Sequence, residues 1–244
     1  MTAHYDTIGI DYANLRKPDP RIAAAVELAL GDAETIVNVG AGAGSYEPVG
    51  RRITAVEPSA KMIAQRPSGT AEIVQASAEV LPFEDNSFDA AMAVLTVHHW
   101  EDKAKGLAEM RRVSRGPVVI LTFDPDWQDF WLWDYLPELA ALDSEIMPPM
   151  SYYEEHLPAL EVKTVPVPHD CTDGFLCAYW RRPTAYLDPK VRAAMSSFWT
   201  LGDKADPGLA ALADDLESGR WSEKYGHVMD EDSLDLGYRL VISR

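Results

Sequence analysis

The chain has 244 residues, 47% hydrophobic and 25% charged, the size and balance of a long globular domain, so disordered and fibrous classes are excluded. Its 22 basic and 39 acidic residues leave a net charge of −17, which repels phosphate backbones and anionic lipid surfaces, so neither nucleic acid nor a membrane is an expected partner. Two cysteines, Cys171 and Cys177, are too few for a disulfide framework or a four-sulfur zinc site, and without a signal-peptide start or a membrane-length apolar run the expectation is a cytoplasmic protein.

Residues 23–30 (AAAVELAL) read as an amphipathic helix stopped at Gly31. Short apolar runs follow at 35–40 (TIVNVG), 52–57 (RITAVE), 72–76 (EIVQA), 88–96 (FDAAMAVLT) and 116–123 (GPVVILTF). Between the last two, residues 103–112 carry apolar side chains at helical spacing. Strands this apolar are covered on both faces, and their alternation with helices predicts a doubly wound parallel sheet. The chain then changes character. Residues 124–159 are aromatic and proline-punctuated, 160–168 alternate like a strand, 169–232 are helical in pieces, and 234–243 read as a last strand.

The strongest chemical signal is the segment 38–44 (NVGAGAG) at the end of the first strand. Glycine at every second position lets the backbone turn tightly and approach a ligand without intervening Cβ atoms. A dinucleotide fingerprint would place glycine at position 45, where this chain has Ser45. Glu57 ends the second strand, beside the glycine loop, where a carboxylate can accept both hydrogen bonds of a ribose diol.

Here the sequence resembles the class I S-adenosylmethionine-dependent methyltransferases, in particular small-molecule enzymes of the ubiquinone-biosynthesis type. The segments 77–83 (SAEVLPF), 87–89 (SFD) and 98–100 (HHW) add to the likeness, which covers roughly residues 35–123. The resemblance implies a Rossmann-like, mostly parallel seven-stranded sheet with an antiparallel last strand and a helical substrate cap. It implies S-adenosylmethionine as cofactor and methyl transfer to a small-molecule acceptor. One methyltransferase domain over 1–244 is expected: a cofactor-covering segment 1–30, a cofactor-binding core 31–123, a cap at 124–159 and 169–232, and closing strands at 160–168 and 233–244.

By position, the resemblance puts Gly40, Ala41 and Gly42 under the cofactor's amino-acid end and ribose, and Glu57 on the ribose hydroxyls. The same resemblance implies that Pro58 and Met62 line the adenine pocket, that Ser77, Ala78 and Glu79 meet the adenine edge, that Ala93 or Val94 offers a backbone carbonyl to the cofactor's ammonium, and that Leu95 packs nearby. Asn38 and Ser77 stand where the family usually carries acids. Only residues 45–51 separate the glycine loop from the second strand, and a full helix does not fit, since three turns need about 11 residues. The leader, with Tyr5, Tyr12 and Arg16, is expected to replace that helix at the cofactor carboxylate, Tyr12 and Arg16 being its named contacts.

Methyl transfer needs alignment and desolvation, and a base when the nucleophile carries a proton. His99 is the expected base with His98 its rival, the two pointing oppositely if they sit on a strand. His169 is a second expected catalytic base, oriented by Asp170. No metal is expected, because the spacing supplies no third ligand. Trp127, Phe130, Trp131, Trp133 and Tyr135 read either as packing under a lid or as an aromatic wall for the acceptor. Arg181 and Arg182 read either as surface ion-pairing groups or as partners of a substrate carboxylate. Two rival functions stand beside methyl transfer: a nicotinamide-dependent oxidoreductase on a similar fold, and a non-catalytic cofactor-binding protein.

Overall fold

The computed structural model describes residues 16–69 and 71–244; Tyr5 and Tyr12 lie outside the described residues. Helix α1 (Pro20–Leu30) starts where the Asp19 side chain accepts from the Arg21 N–H at 3.0 Å, and ends at Gly31. Its buried residues Ile22, Val26 and Leu30 recur at four-residue spacing, the stripe that packs a helix on a sheet. α1 lies on the sheet at strand β5 (Val118–Phe123).

The other strands are β1 (Thr35–Val39), β2 (Arg52–Val56), β3 (Glu72–Val74), β4 (Ala90–Val94), β6 (Leu160–Thr164), β7 (Val167–Pro168), β8 (Ser233–Leu234) and β9 (Tyr238–Ser243). Seven of them form one sheet in the order β3-β2-β1-β4-β5-β9-β6. β9 runs antiparallel to both neighbours, and the other pairings are parallel. The expected sheet, with its antiparallel last strand, is present. Side chains alternate between its faces. Ile36, Met92, Val119 and Leu121 join the core under α1 and the cap. Val37, Ala91, Val118 and Ile120 face the opposite core, with helices α3 (Lys103–Val113) and α5 (Met150–His156).

As the short spacing required, no helix lies between β1 and β2. Between β2 and β3 there is a short helix, α2 (Ala60–Ala64). Two expected strands split. The run 160–168 divides into β6 and β7, with Pro166 between them, a residue that cannot donate to a ladder. β7 pairs with β8 in a separate two-stranded ribbon. β9 begins only after Gly237, whose φ is +81°, and the ring of Phe123 fills the space a Cβ there would need.

The cap contains α4 (Pro137–Ile146), α6 (Pro189–Arg192), α7 (Ser196–Leu201), α8 (Asp206–Ser218) and α9 (Arg220–Tyr225), joined by 3₁₀ turns. No described helix is long and apolar enough to cross a membrane. Where α4 meets α7, Asp143 is buried with the Ser197 hydroxyl 3.4 Å away, and burial pushes its carboxyl up to about 7. An unfolded Asp releases its proton near 3.8, so between these values the folded chain binds the extra proton. Stability from this group is therefore full below about pH 4 and lost as pH rises through 7. Asp143→Asn is expected to stabilise the chain above pH 7 by about 2–4 kcal/mol and far less at pH 5. Thermal melts of parent and variant across that range measure it, and an advantage that does not grow with pH sinks the idea.

Candidate functional site

The glycine loop leaves β1 at Val39 and turns back on the end of β2. The N–H groups of Gly40 and Ala41 both donate to the Val56 carbonyl, at 2.9 and 3.0 Å. Gly40 has φ +69°, and a Cβ there would overlap the Thr96 side chain. The position demands glycine twice over, by conformation and by space. Glu57 is 7% exposed; its carboxylate accepts from the Gly42 N–H at 2.8 Å and the Ser59 N–H at 2.9 Å.

A side-chain network stands where a helix would follow the loop. Arg66, just beyond α2, donates to the Gly42 carbonyl at 3.2 Å and to both Glu47 oxygens at 2.6 and 2.7 Å. Glu47 also accepts from the Asn38 amide nitrogen at 2.9 Å. That bond fixes the amide, whose Oδ1 is buried with no hydrogen-bond partner among the described residues. Asn38 is part of the cavity wall, and an unpaired buried acceptor there favours a cationic or N–H-bearing group. Sequence reasoning missed Glu47 and Arg66. No local pattern marks the pair, since 19 residues separate them and Arg51 and Arg52 stand nearer to Glu47 in the chain.

The cavity measures about 540 Å³. Its wall includes Arg16, Gly40, Ala41, Gly42 and Glu57. Pro58, Met62, Ser77, Ala78 and Glu79 continue it, followed by Val94, Leu95, Thr96, His99, Trp100 and Glu101. Every described residue expected at the cofactor is thus in one place. Tyr12 lies outside the described residues. The Glu79 carboxylate holds the Glu101 and Asp102 N–H groups, at 3.0 and 3.3 Å, and so ties the wall to the start of α3.

At the end of β4 the backbone bends sharply. Leu95 has φ +49°, strained for a branched side chain, and its N–H is held by the Leu121 carbonyl at 2.8 Å. Residues Val97–His99 then form a 3₁₀ turn. Three residues per turn replace a strand's alternation, so the two rings lie 3.8 Å apart, yet only one of them meets the cavity. His99 is exposed and reaches the cavity wall. His98 is outside it; burial holds its ring well below the usual histidine range, and the charges of His99, Lys103 and Arg16 add to this.

His169 and Asp170 are not brought to the cavity. His169 Nδ1 lies 3.1 Å from the Asp232 carbonyl in the β7–β8 ribbon, and exposed Asp170 pairs with Arg21 at 2.7 Å, a hydrogen bond that lowers its carboxyl. The cause is topological: β7 leaves the main sheet, so the residues after it do not sit at a sheet strand's carboxyl end. Cys171 is buried and its thiol is pushed up to about 12 by burial, the condition of an inert packing cysteine.

The aromatic run packs with itself. Trp131 donates its indole N–H to the Trp180 carbonyl at 2.8 Å and meets Tyr186 and Trp221 edge-on. None of the five aromatics belongs to the cavity wall. Arg182 donates to the Cys171 and Ala178 carbonyls at 2.9 and 2.8 Å, and Arg181 to the Glu231 carbonyl at 3.2 Å. The arginines are engaged by backbone.

A methyltransferase domain family matches residues 37–120, the stretch that builds this cavity. A solved protein of Anabaena variabilis ATCC 29413, assigned as a methyltransferase from an antibiotic biosynthesis pathway, is 35% identical. That match covers 94% of this chain and 99% of the other, with a TM-score of 0.87. The ubiquinone/menaquinone biosynthesis C-methyltransferase of Geobacter sp. (strain M21) is 30% identical over 49% of this chain and 60% of its own length. That of Hahella chejuensis is 46% identical over 30% of this chain and 34% of its own length. The chain thus spans 60% or less of these curated relatives. The match to the Anabaena protein over nearly both whole chains, on the seven-stranded fold and cavity described above, carries the assignment. The chain belongs to the class I S-adenosylmethionine-dependent methyltransferases, and its cofactor is S-adenosylmethionine.

Proposed function

We propose that this chain transfers the methyl group of S-adenosylmethionine to a small organic acceptor that enters beside His99. The observation that carries the reading is the continuity of the cavity, from the glycine loop and Glu57 past the strained end of β4 to His99, Trp100 and Glu101. Its volume, about 540 Å³, is in the range of small-molecule sites. The Anabaena relative belongs to antibiotic biosynthesis and the Geobacter relative to quinone biosynthesis, and both fields deal in small organic molecules.

The residues suit this cofactor. Its bound form supplies an electrophilic methyl on a sulfonium. Glu57, at the carboxyl end of β2 beside the glycine loop and in the cavity wall, takes the ribose hydroxyls. Asn38 Oδ1 takes the ammonium, with Glu47 and Arg66 holding the amide in place. Gly40, Ala41 and Gly42 pass beneath the amino-acid end, and Arg16 faces its carboxylate. Pro58, Met62, Ser77 and Ala78 hold the adenine, with Glu79 closing the wall. Val94 and Leu95 shape the space at the methyl. His99 is the one expected base that reaches the cavity, and it removes the acceptor's proton where there is one. His169 and Asp170 have no part in it.

Purified chain incubated with S-adenosylmethionine and a panel of phenols, amines and quinols is expected to release S-adenosylhomocysteine with one acceptor class. Tight cofactor binding with no product from any class would instead favour the non-catalytic reading. The nicotinamide alternative would return only if a titration showed binding of that cofactor in preference.

A further inference from the structure

Outside the cavity wall, one cap residue is tied to Arg16, which is in the wall, and to Tyr46, the neighbour of the wall residue Ser45. Asp173 is 1% exposed and lies in the loop after β7. One carboxylate oxygen accepts from Arg16 Nε at 2.5 Å. The other accepts from the Tyr46 hydroxyl at 2.9 Å and from Arg16 Nη2 at 3.4 Å. Tyr46 belongs to the loop that follows Gly44, is 3% exposed and has φ +63°, a conformation that tertiary contacts must hold. Burial, followed by the charge of Asp173, pushes the Tyr46 phenol far above its ordinary range, so it stays a donor. The same short stretch of cap is fastened to the leader again, by the Thr172 N–H on Asp19 at 3.2 Å and the Thr172 hydroxyl on the Pro18 carbonyl at 3.3 Å.

We propose that Asp173 is a positioning residue for the amino-acid end of the cofactor: it holds the Arg16 guanidinium in the cavity wall and, through Tyr46, the loop after the glycines. This rests on the cofactor placement proposed above. The missing helix after β1 is the reason such a residue is needed. Without a helix N-terminus to receive the carboxylate, the charge must come from a long side chain, and a planar guanidinium is directional only when one of its edges is fixed. An Asp from the cap supplies that fixed edge. A further consequence is that loosening the cap's first loop loosens the cofactor site.

The experiment compares two ligands that share adenosine and differ in the amino-acid end: S-adenosylhomocysteine, which has it, and 5′-methylthioadenosine, which lacks it. Calorimetric titration of Asp173→Asn is expected to show S-adenosylhomocysteine binding weakened about tenfold or more, with methylthioadenosine unchanged within about twofold. Tyr46→Phe removes one tether without leaving a buried charge unpaired, and should show a smaller loss with the same selectivity even if the Asp173 variant fails to fold. Equal loss for both ligands in the folded variants identifies general loosening and overturns the proposal, as does no loss for either. A parent chain that binds neither ligand removes the cofactor placement itself, and this role falls with it.

Discussion

Glu57→Ala is expected to weaken binding of S-adenosylmethionine by about 10²-fold or more. Two hydrogen bonds from ribose hydroxyls to a charged acceptor are at stake, each worth roughly 1.5–3 kcal/mol, and 1.4 kcal/mol is tenfold in affinity. The structure adds a second component to this loss. The same carboxylate accepts from the Gly42 and Ser59 N–H groups, so its removal also releases the glycine loop and the start of α2. Some destabilisation should therefore accompany the affinity change, visible as a lower melting temperature of the cofactor-free variant. Calorimetry at a temperature where the variant is folded separates the two effects. A dissociation constant within about threefold of the parent would place the cofactor away from Glu57 and dismantle the site assignment.

Turnover on the true acceptor should fall by about 10²-fold or more in His99→Ala, the usual scale for a lost general base, with cofactor affinity almost unchanged. His99 is part of the cavity wall together with Thr96 and Trp100, whereas His98, its ring tilted at 51° to that of His99, is not. Burial first, and then the charges of His99, Lys103 and Arg16, lower the His98 ring below the usual histidine range. A parent-like kcat in His99→Ala would mean that the acceptor loses no proton to this ring, as with an already ionised or carbon nucleophile activated elsewhere. His169→Ala, by the same reasoning, should leave turnover near the parent value, since that ring sits at the β7–β8 ribbon.

The amino-acid sequence by itself determined the sheet and the residues of the cavity wall. Strands β1, β4 and β5 are buried on both faces, so their apolar runs announce them without reference to any partner. The glycines, Glu57 and the Ser77–Glu79 stretch follow strand ends, where position in the chain translates directly into position around the cavity. Even the absent helix was legible, because length is a local property. What the tertiary structure decided was everything held by long-range polar pairing. Arg66 and Glu47 are separated by 19 residues, and Arg16 and Asp173 by 157. Nothing in their immediate neighbours marks either pair, since a charge declares its partner only after burial makes an unpaired one costly. The cap misled for a related reason. Its aromatic run could serve a ligand or its own packing with identical composition, and only the departure of β7 from the main sheet turned His169 and Asp170 away from the cavity.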